Sequence, residues 1–266
     1  MNLPRISASS YSNTAPLIWS FLYGSQRGKA ELILDNAPAR SAELLATGRV
    51  DAALVPVIAY QTIPEVRLFP DVCVGSLKQV RSVCLVTNGQ DLGEVGSVAL
   101  DVSSKTSVAL TKIVFREFLG HEPVWAASEP DADKMLQEHD CALLIGDPAL
   151  SLNAGAAARD DLKIFDLAEI WNRYTGTGFV FAMWMAKKAP GGIDLAAARD
   201  EGLSHVEEII MNYSDEIPLD GEEFRQYLAN NITYSVSEKL EAGMNLFFDL
   251  CGKHGLIEKA RRLAYV

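Results

Sequence analysis

The sequence lacks the features that mark membrane, secreted and disulfide-bonded proteins. It contains no run of eighteen or more apolar residues, so a membrane-spanning helix is not expected. Residues 1–9 have neither the basic nor the apolar segment of a secretory signal, which predicts a cytoplasmic protein. The few cysteines show no C-x-x-C spacing, which favours reduced thiols in the core over disulfides or a zinc site. They are Cys73, Cys84, Cys141 and Cys251.

The chain is also short of positive charge. It has 24 Lys and Arg against 35 Asp and Glu, a formal net charge of −11, and its basic residues form no run. Nucleic acid is bound by clustered Lys and Arg, so it is not an expected partner. No Walker loop, G-x-G-x-x-G segment or nucleophilic triad is apparent. The expected partner is therefore a small-molecule substrate, bound by a monomer or a homodimer that contacts neither nucleic acid nor membrane.

What the sequence does contain is an α/β pattern that occurs twice. Strands and helices alternate as βαβαβ up to residue 56, and the pattern begins again near residue 98. Two extended crossings join the halves, and helices follow to the end of the chain. The crossings are predicted near residues 81–87 and 179–187, and the helices at 193–213, 221–230, 237–254 and 255–263.

This pattern predicts an α/β fold of two lobes, that of type II periplasmic binding proteins, with the ligand in the interdomain cleft. We expect residues 1–87 and 188–266 to form a discontinuous first lobe that includes the carboxy-terminal helices. Residues 88–187 are expected to form the second lobe.

Polar residues collect where three predicted strands end. Ser9–Leu17 follows the first strand, Ser103–Ser107 follows the strand at 98–101, and Gly146-Asp147 follows the strand at 142–146. Helix amino termini bind anions through unpaired N–H groups and the helix dipole, and open α/β sheets bind ligands at the carboxyl ends of their strands. The alternative for the first cluster is simple helix capping. Its recurrence at Ser103–Ser107 favours a two-sided anion site.

Four segments, in this order, resemble the chorismate dehydratase family of the futalosine route to menaquinone. They are Ser10–Leu17, Asp101–Ser107, Leu144–Ala149 and Phe179–Trp184. Two positions depart from the family pattern: Ser12 stands where an apolar residue is usual, and Thr177-Gly178 replaces a Leu-Pro pair.

The resemblance implies a hydro-lyase that removes water from chorismate to give 3-[(1-carboxyvinyl)oxy]benzoate. It implies no metal and no organic cofactor, because aromatisation of the ring drives the reaction. Asn13 is the expected catalytic residue, since its side-chain amide could donate a hydrogen bond to the leaving hydroxyl. The expected substrate-binding residues are Ser10, Tyr11, Thr14, Ser82, Ser103, Ser104, Thr106, Ser107, Gly146 and Asp147.

Two groups are candidates for the proton acceptor. Asp147 is one by its position, although a carboxylate in a Gly-Asp-Pro segment is also typical of a turn or cap. The other, which we prefer, is the substrate's own enolpyruvyl carboxylate. Positive potential for the dianion could come from basic residues that fit exposed surface positions equally well. They are Lys105, Arg40, Lys78 and Arg81.

Two other functions remain open. The same clamp could serve a non-catalytic cytoplasmic module that binds or senses a small carboxylate. The dihydroxynaphthoate synthase of the same route shares the fold, but a histidine is expected in its site. The histidines of this chain fall outside the cleft motifs, which weakens that alternative; they are His121, His139, His205 and His254.

Overall fold

Two five-stranded sheets form the centre of the protein in the computed structural model, which describes residues 3–155 and 159–266. In the first sheet, β1 (Arg5–Ser9), β2 (Glu31–Asp35) and β3 (Ala52–Pro56) run parallel. β10 (Phe179–Ala186) pairs antiparallel with both β3 and β4 (Arg67–Ser76). The strand order is β2-β1-β3-β10-β4.

The second sheet repeats this arrangement. β6 (Ser97–Asp101), β7 (Val124–Ser128) and β8 (Cys141–Ile145) run parallel. β5 (Val83–Thr87) pairs antiparallel with both β8 and β9 (Lys163–Asp166), so the order is β7-β6-β8-β5-β9. All residues of β3, β5 and β8 are buried, as expected of central strands covered on both faces. The predicted two-part α/β fold is confirmed.

The helices connect and cover these strands. Their bounds are α1 (Ala15–Leu22), α2 (Pro38–Ala46), α3 (Ala59–Thr62), α4 (Lys105–Ile113), α5 (Ala132–Glu138), α6 (Gly146–Ala154), α7 (Leu167–Thr175), α8 (Leu195–Ser204), α9 (Val206–Tyr213), α10 (Gly221–Gln226) and α11 (Glu238–Lys253). None of the helices in the described ranges is long and apolar enough to cross a bilayer.

Two strands lie in a different sheet from the one that the predicted lobe boundaries imply. β5 was assigned to the first lobe and belongs to the second sheet, whereas β10 was assigned to the second lobe and belongs to the first sheet. Each crossing strand inserts into the sheet that it enters and pairs antiparallel on both sides. The predicted ends of the lobes, at residues 87 and 187, therefore fall after these strands instead of before them.

The carboxy-terminal helices pack on the first sheet and its helix α1. α8 and α9 contact α1, and α11 contacts β10. The helix expected over 193–213 is interrupted at His205. The helix expected over 255–263 is absent from this described segment. Only the residues after this segment run beside β4, where the Leu68 N–H donates to the Ala264 carbonyl and the Val266 N–H donates to the Leu68 carbonyl.

Candidate active site

One cavity lies where the carboxyl ends of the parallel strands of both sheets meet. It encloses about 490 Å³ of empty space, including its opening to solvent. The first polar junction and the start of α4 supply its polar groups, and strand residues supply apolar walls. The lining residues are Ser9, Tyr11, Asn13, Thr14, Pro38, Leu54, Pro56, Val74, Val83, Ser104, Ser107, Ile145, Gly146, Phe181 and Ala182.

The first junction forms a short 3-10 turn, Ser12–Thr14, that leads into α1. The Thr14 hydroxyl lies within hydrogen-bonding distance of the Ser9 and Tyr11 carbonyls, 2.6 and 2.8 Å away. Thr14 is the N-cap of α1 by position, but its side chain makes no capping hydrogen bond. Simple capping therefore does not account for this cluster. The Thr14 hydroxyl instead stabilises the loop that carries Asn13.

Asn13 and Tyr11 both line the cavity, whereas Ser10 does not. The Asn13 residue is 8% exposed, so its amide is largely removed from water. The Ser10 hydroxyl donates to the Asn36 side-chain oxygen at 3.2 Å, in an exposed position. Burial raises the pKa of Tyr11, which keeps its hydroxyl protonated, while a hydrogen bond with Ser103 lowers that pKa.

The second junction behaves differently, because here a serine does cap the helix. The Ser104 hydroxyl oxygen accepts the Ser107 N–H at 3.2 Å, and the two hydroxyls are 2.9 Å apart. Both side chains line the cavity. The amino terminus of α4 therefore faces the cavity with hydroxyl groups and the positive end of its dipole, which is the chemistry of a carboxylate receptor.

The neighbours of these two serines contact protein groups. The Ser103 hydroxyl donates to Asp101 Oδ1 at 2.5 Å, and the Ser103 N–H donates to the same oxygen at 2.8 Å. Thr106 Oγ1 accepts the N–H of Ile58 from the first lobe at 3.2 Å. Ser103 and Thr106 thus hold the junction and the two lobes together, and neither lines the cavity.

The third junction brings Gly146 to the cavity and directs Asp147 toward the other lobe. The Ser12 N–H lies 3.2 and 3.1 Å from the two Asp147 carboxylate oxygens, and the Ser12 hydroxyl donates to Oδ1 at 2.5 Å. Burial raises the pKa of Asp147, whereas the bonds from Ser12 lower it. Asp147 is thus engaged by Ser12, and it is not among the cavity-lining residues.

Ser82 lies beneath the cavity and is fully buried. Its hydroxyl accepts a hydrogen bond from the Tyr227 hydroxyl at 2.8 Å, and its carbonyl accepts the Gly146 N–H at 2.8 Å. Burial raises the pKa of the Tyr227 hydroxyl, and the hydrogen bond with Ser82 lowers it. Sequence reasoning missed Tyr227, because a tyrosine within a helical apolar segment carries no signal that it reaches Ser82, 145 residues earlier.

The four basic residues considered above lie away from the lining of this cavity as the described residues define it. Arg40 is exposed and pairs with Glu43 at 2.8 Å, and Lys78 is exposed. Lys105 lines a neighbouring groove. Arg81 donates its backbone N–H to Asp166 at 2.6 Å. The polar groups of the cavity are therefore neutral hydroxyls and an amide.

No arrangement of three or more His, Cys, Asp or Glu side chains suited to a metal ion occurs within residues 3–155 and 159–266.

Comparison with known proteins gives one consistent family. The family model described as menaquinone biosynthesis matches residues 4–253. The chorismate dehydratase of Thermus thermophilus is 30% identical over 270 residues, covering 95% of this chain and 94% of that protein.

Solved structures resemble the fold. A crystallised protein from Archaeoglobus fulgidus superposes with a TM-score of 0.72 at 17% identity, over 96% of this chain and 98% of its own. The periplasmic aliphatic sulphonate binding protein of Escherichia coli gives a TM-score of 0.63 at 15% identity, over 100% of this chain and 94% of its own. This chain has the periplasmic-binding-protein fold and belongs to the menaquinone biosynthesis family.

Proposed function

We propose that this protein is a chorismate dehydratase, a hydro-lyase that converts chorismate to 3-[(1-carboxyvinyl)oxy]benzoate and water. The family match and the relative's activity support this assignment. The observation that carries the mechanism is the buried Asn13 amide on the wall of a cavity whose other polar groups are mostly hydroxyls.

The cavity suits a substrate with a flat ring and two carboxylates. Strand residues such as Leu54, Val83 and Phe181 offer apolar surface to the ring. One carboxylate would accept a hydrogen bond at the start of α4 from the Ser107 hydroxyl, which itself accepts the proton of the Ser104 hydroxyl. A helix amino terminus contributes about 0.3 to 2 kcal/mol to such an interaction, so several donors must act together.

The reaction removes a proton from the ether-bearing carbon and expels the hydroxyl of the adjacent carbon, which leaves as water. Negative charge develops on that hydroxyl oxygen as its bond to carbon breaks. A preorganised N–H from Asn13 would stabilise this charge, and one such donor is worth about a hundredfold or more in rate.

We assign the proton to the substrate's own enolpyruvyl carboxylate, which afterwards gives it up to the departing hydroxide, so that water is released. The alternative acceptor, Asp147, has its carboxylate occupied by the N–H and hydroxyl of Ser12. A carboxylate that already accepts these bonds from the opposite lobe is better suited to holding the lobes than to receiving a substrate proton.

We also propose that the enzyme works in the cytoplasm. All four cysteines are buried and unpaired, which agrees with a reducing compartment. Fractionation of cells that express the tagged protein tests this location.

The activity is tested by incubating the purified protein with chorismate and following the aromatic product by absorbance and mass spectrometry. We expect catalytic conversion with release of water. Chorismate that binds but stays unchanged at high protein concentration would instead support a non-catalytic carboxylate-binding module.

Asn13→Ala tests the assigned residue. We expect kcat to fall about a hundredfold or more, because the variant loses the donor to the leaving hydroxyl, while the folded state is kept. Asn36→Ala is the matched control, since Asn36 is an exposed asparagine near the same loop and outside the cavity. Near-normal turnover by the Asn13 variant would remove this residue from the mechanism.

A further inference from the structure

A second helix, α2, begins at the edge of the cavity in the first lobe. Its first residue, Pro38, lines the cavity, no side chain caps the helix, and its first turn holds no acidic residue. Pro38 has no N–H, and the Arg40 N–H donates to the Ala37 carbonyl at 2.9 Å. The Ala39 N–H has no hydrogen-bond partner within residues 3–155 and 159–266. The amino terminus of α2 therefore offers an unpaired donor and a positive dipole end, which attract an anion.

Ser9, the last residue of β1, supplies an independent sign of a ligand at this place. It lines the cavity and is only 3% exposed. Its carbonyl accepts the Thr14 hydroxyl at 2.6 Å, but its own hydroxyl makes no hydrogen bond in the part of the chain that the structure describes. Buried polar groups of folded proteins are nearly always paired, so an unpaired hydroxyl on a cavity wall indicates a polar ligand.

The fold brings this hydroxyl to the amino end of α2. The Ser7 hydroxyl, two residues earlier on β1, lies 2.8 Å from the Ser41 hydroxyl of α2. Side chains two residues apart in a strand share a face, so Ser9 faces α2 about 6.6 Å nearer the cavity. Because α2 connects the parallel strands β2 and β3, it runs away from the cavity, and Pro38 precedes Ser41 by about 4.5 Å along the helix axis. Ser9 and the start of α2 therefore face the same part of the cavity.

The charged groups at this end of α2 are engaged with other protein groups. Asp35 Oδ1 accepts the Ala37 N–H at 3.2 Å, and Asp35 Oδ2 lies 3.9 Å from the Arg40 guanidinium. Arg40 also pairs with Glu43 at 2.8 Å. The cavity lining, as the described residues define it, includes none of these charged side chains. The groups left for a ligand are thus neutral N–H and O–H donors, which suit a carboxylate.

We propose that the Ser9 hydroxyl and the amino terminus of α2 form a second carboxylate subsite, which faces the subsite at Ser107 from the opposite lobe. This inference rests on the proposed function and names the class of ligand that the cleft selects, a dicarboxylate with its charges on different substituents of one ring. Each lobe binds one carboxylate. A dicarboxylate therefore bridges the two lobes, whereas a monocarboxylate engages only one of them.

The unreactive probe 3-(carboxymethoxy)benzoate tests the subsite, since it carries one carboxylate on an aromatic ring and one on an ether arm. We expect Ser9→Ala to raise its Kd, measured by isothermal titration calorimetry on the full chain, about tenfold or more. The reason is the loss of a hydrogen bond to a charged group. An unchanged Kd would overturn the proposal.

Ser7→Ala is the matched control. Ser7 is a buried serine on the same face of β1, its hydroxyl bonds Ser41, and it does not line the cavity. We expect this variant to keep the wild-type Kd within about twofold. An equal loss of affinity in the Ser7 and Ser9 variants would also overturn the proposal, because it would indicate a general effect on β1.

Two monocarboxylates separate the two subsites. The probe 3-methoxybenzoate keeps only the ring carboxylate, and phenoxyacetate keeps only the carboxylate of the ether arm. We expect Ser9→Ala to raise the Kd of one of them about tenfold or more and to leave the other within about twofold, and Ser107→Ala to show the reverse pattern. If both substitutions weaken the same monocarboxylate, the two serines belong to one subsite and the proposal is refuted.

Binding and turnover distinguish this proposal from the proposed function. Absent turnover of chorismate by the wild type, together with the expected changes in Kd, would refute only the dehydratase assignment. Wild-type turnover together with Kd values that Ser9→Ala leaves unchanged would refute only the second subsite.

Discussion

At the scale of single residues, Gly146 shows why one position of the cavity tolerates no side chain. Its φ is +63°, in the left-handed region, and a Cβ built there would lie 2.7 Å from the Tyr11 ring. The backbone of the second lobe thus supports the aromatic ring of the first lobe directly. The close approach places both residues on the same wall of the cavity.

Gly146→Ala is expected to lower the free energy of unfolding by about 2 kcal/mol, from left-handed strain and the displaced Tyr11 ring. We also expect kcat/KM to fall, because Tyr11 lines the cavity. Urea unfolding and steady-state kinetics measure the two effects. Gly191→Ala is the control, since a Cβ there meets nothing within 4 Å; equal stability of the two variants would contradict this account.

At the scale of elements, Asp166 joins a helix to the crossing between the lobes. One carboxylate oxygen accepts the Ala168 and Glu169 N–H groups and caps α7. The other accepts the Val80 and Arg81 N–H groups at 2.9 and 2.6 Å. A single buried side chain therefore fixes the start of α7 against the segment that leads into β5.

The titration of Asp166 should be visible in the pH dependence of stability. Burial raises its pKa to about 6, from 3.8, against the lowering effect of its four backbone hydrogen bonds. Between these values the folded protein binds the proton more tightly than the unfolded chain does. The contribution of Asp166 to the free energy of unfolding is therefore fully present below about pH 4. It decreases by about 3 kcal/mol as the pH rises through 6. The neighbouring Cys84 thiol stays neutral, because burial raises its pKa well above the usual range.

Urea unfolding of the wild type and Asp166→Asn at several pH values from 4 to 7.5 tests this expectation. The variant loses an acceptor and should be less stable, but it should lack this part of the pH dependence. Parallel curves for the two proteins would show that Asp166 does not titrate in this range.

At the scale of the whole molecule, contacts across the cleft hold the two lobes together. Ser12 binds Asp147, and the Ile58 N–H donates to Thr106 Oγ1. These contacts lie around the cavity, so the structure is that of a closed clamp. The charged side chains that give the formal charge of −11 lie outside the cavity lining described above, which has no charged side chain.

Asp147→Ala is expected to loosen this closure. It leaves the N–H and hydroxyl of Ser12 without their partner, at a cost of roughly 1 to 3 kcal/mol for an unpaired buried group. We expect KM for chorismate to rise about tenfold, kcat to change less, and the radius of gyration from X-ray scattering to increase. Asp249→Ala, on the exposed side of α11, is the control. A fall in kcat larger than the rise in KM would instead favour Asp147 as the proton acceptor.

Local pattern was enough to predict much of this protein. Strand β1, the polar turn after it and helix α1 follow from an apolar segment, a hydroxyl-rich junction and Pro16 in a first helical turn. The same reasoning located the capped start of α4, and the resemblance pointed to Asn13. These features depend on neighbours within a few residues, which a sequence displays directly.

Tertiary structure decided what depends on distant partners. The sheet membership of β5 and β10, the engagement of Asp147 by Ser12 and the bond from Tyr227 to Ser82 join residues far apart in the chain. The path of residues 255–263 is likewise set by a distant element, because the Tyr60 and Gln61 side chains of α3 donate to the Arg262 and Arg261 carbonyls. Sequence thus determined which groups are available for chemistry, whereas packing determined which of them are left free to use.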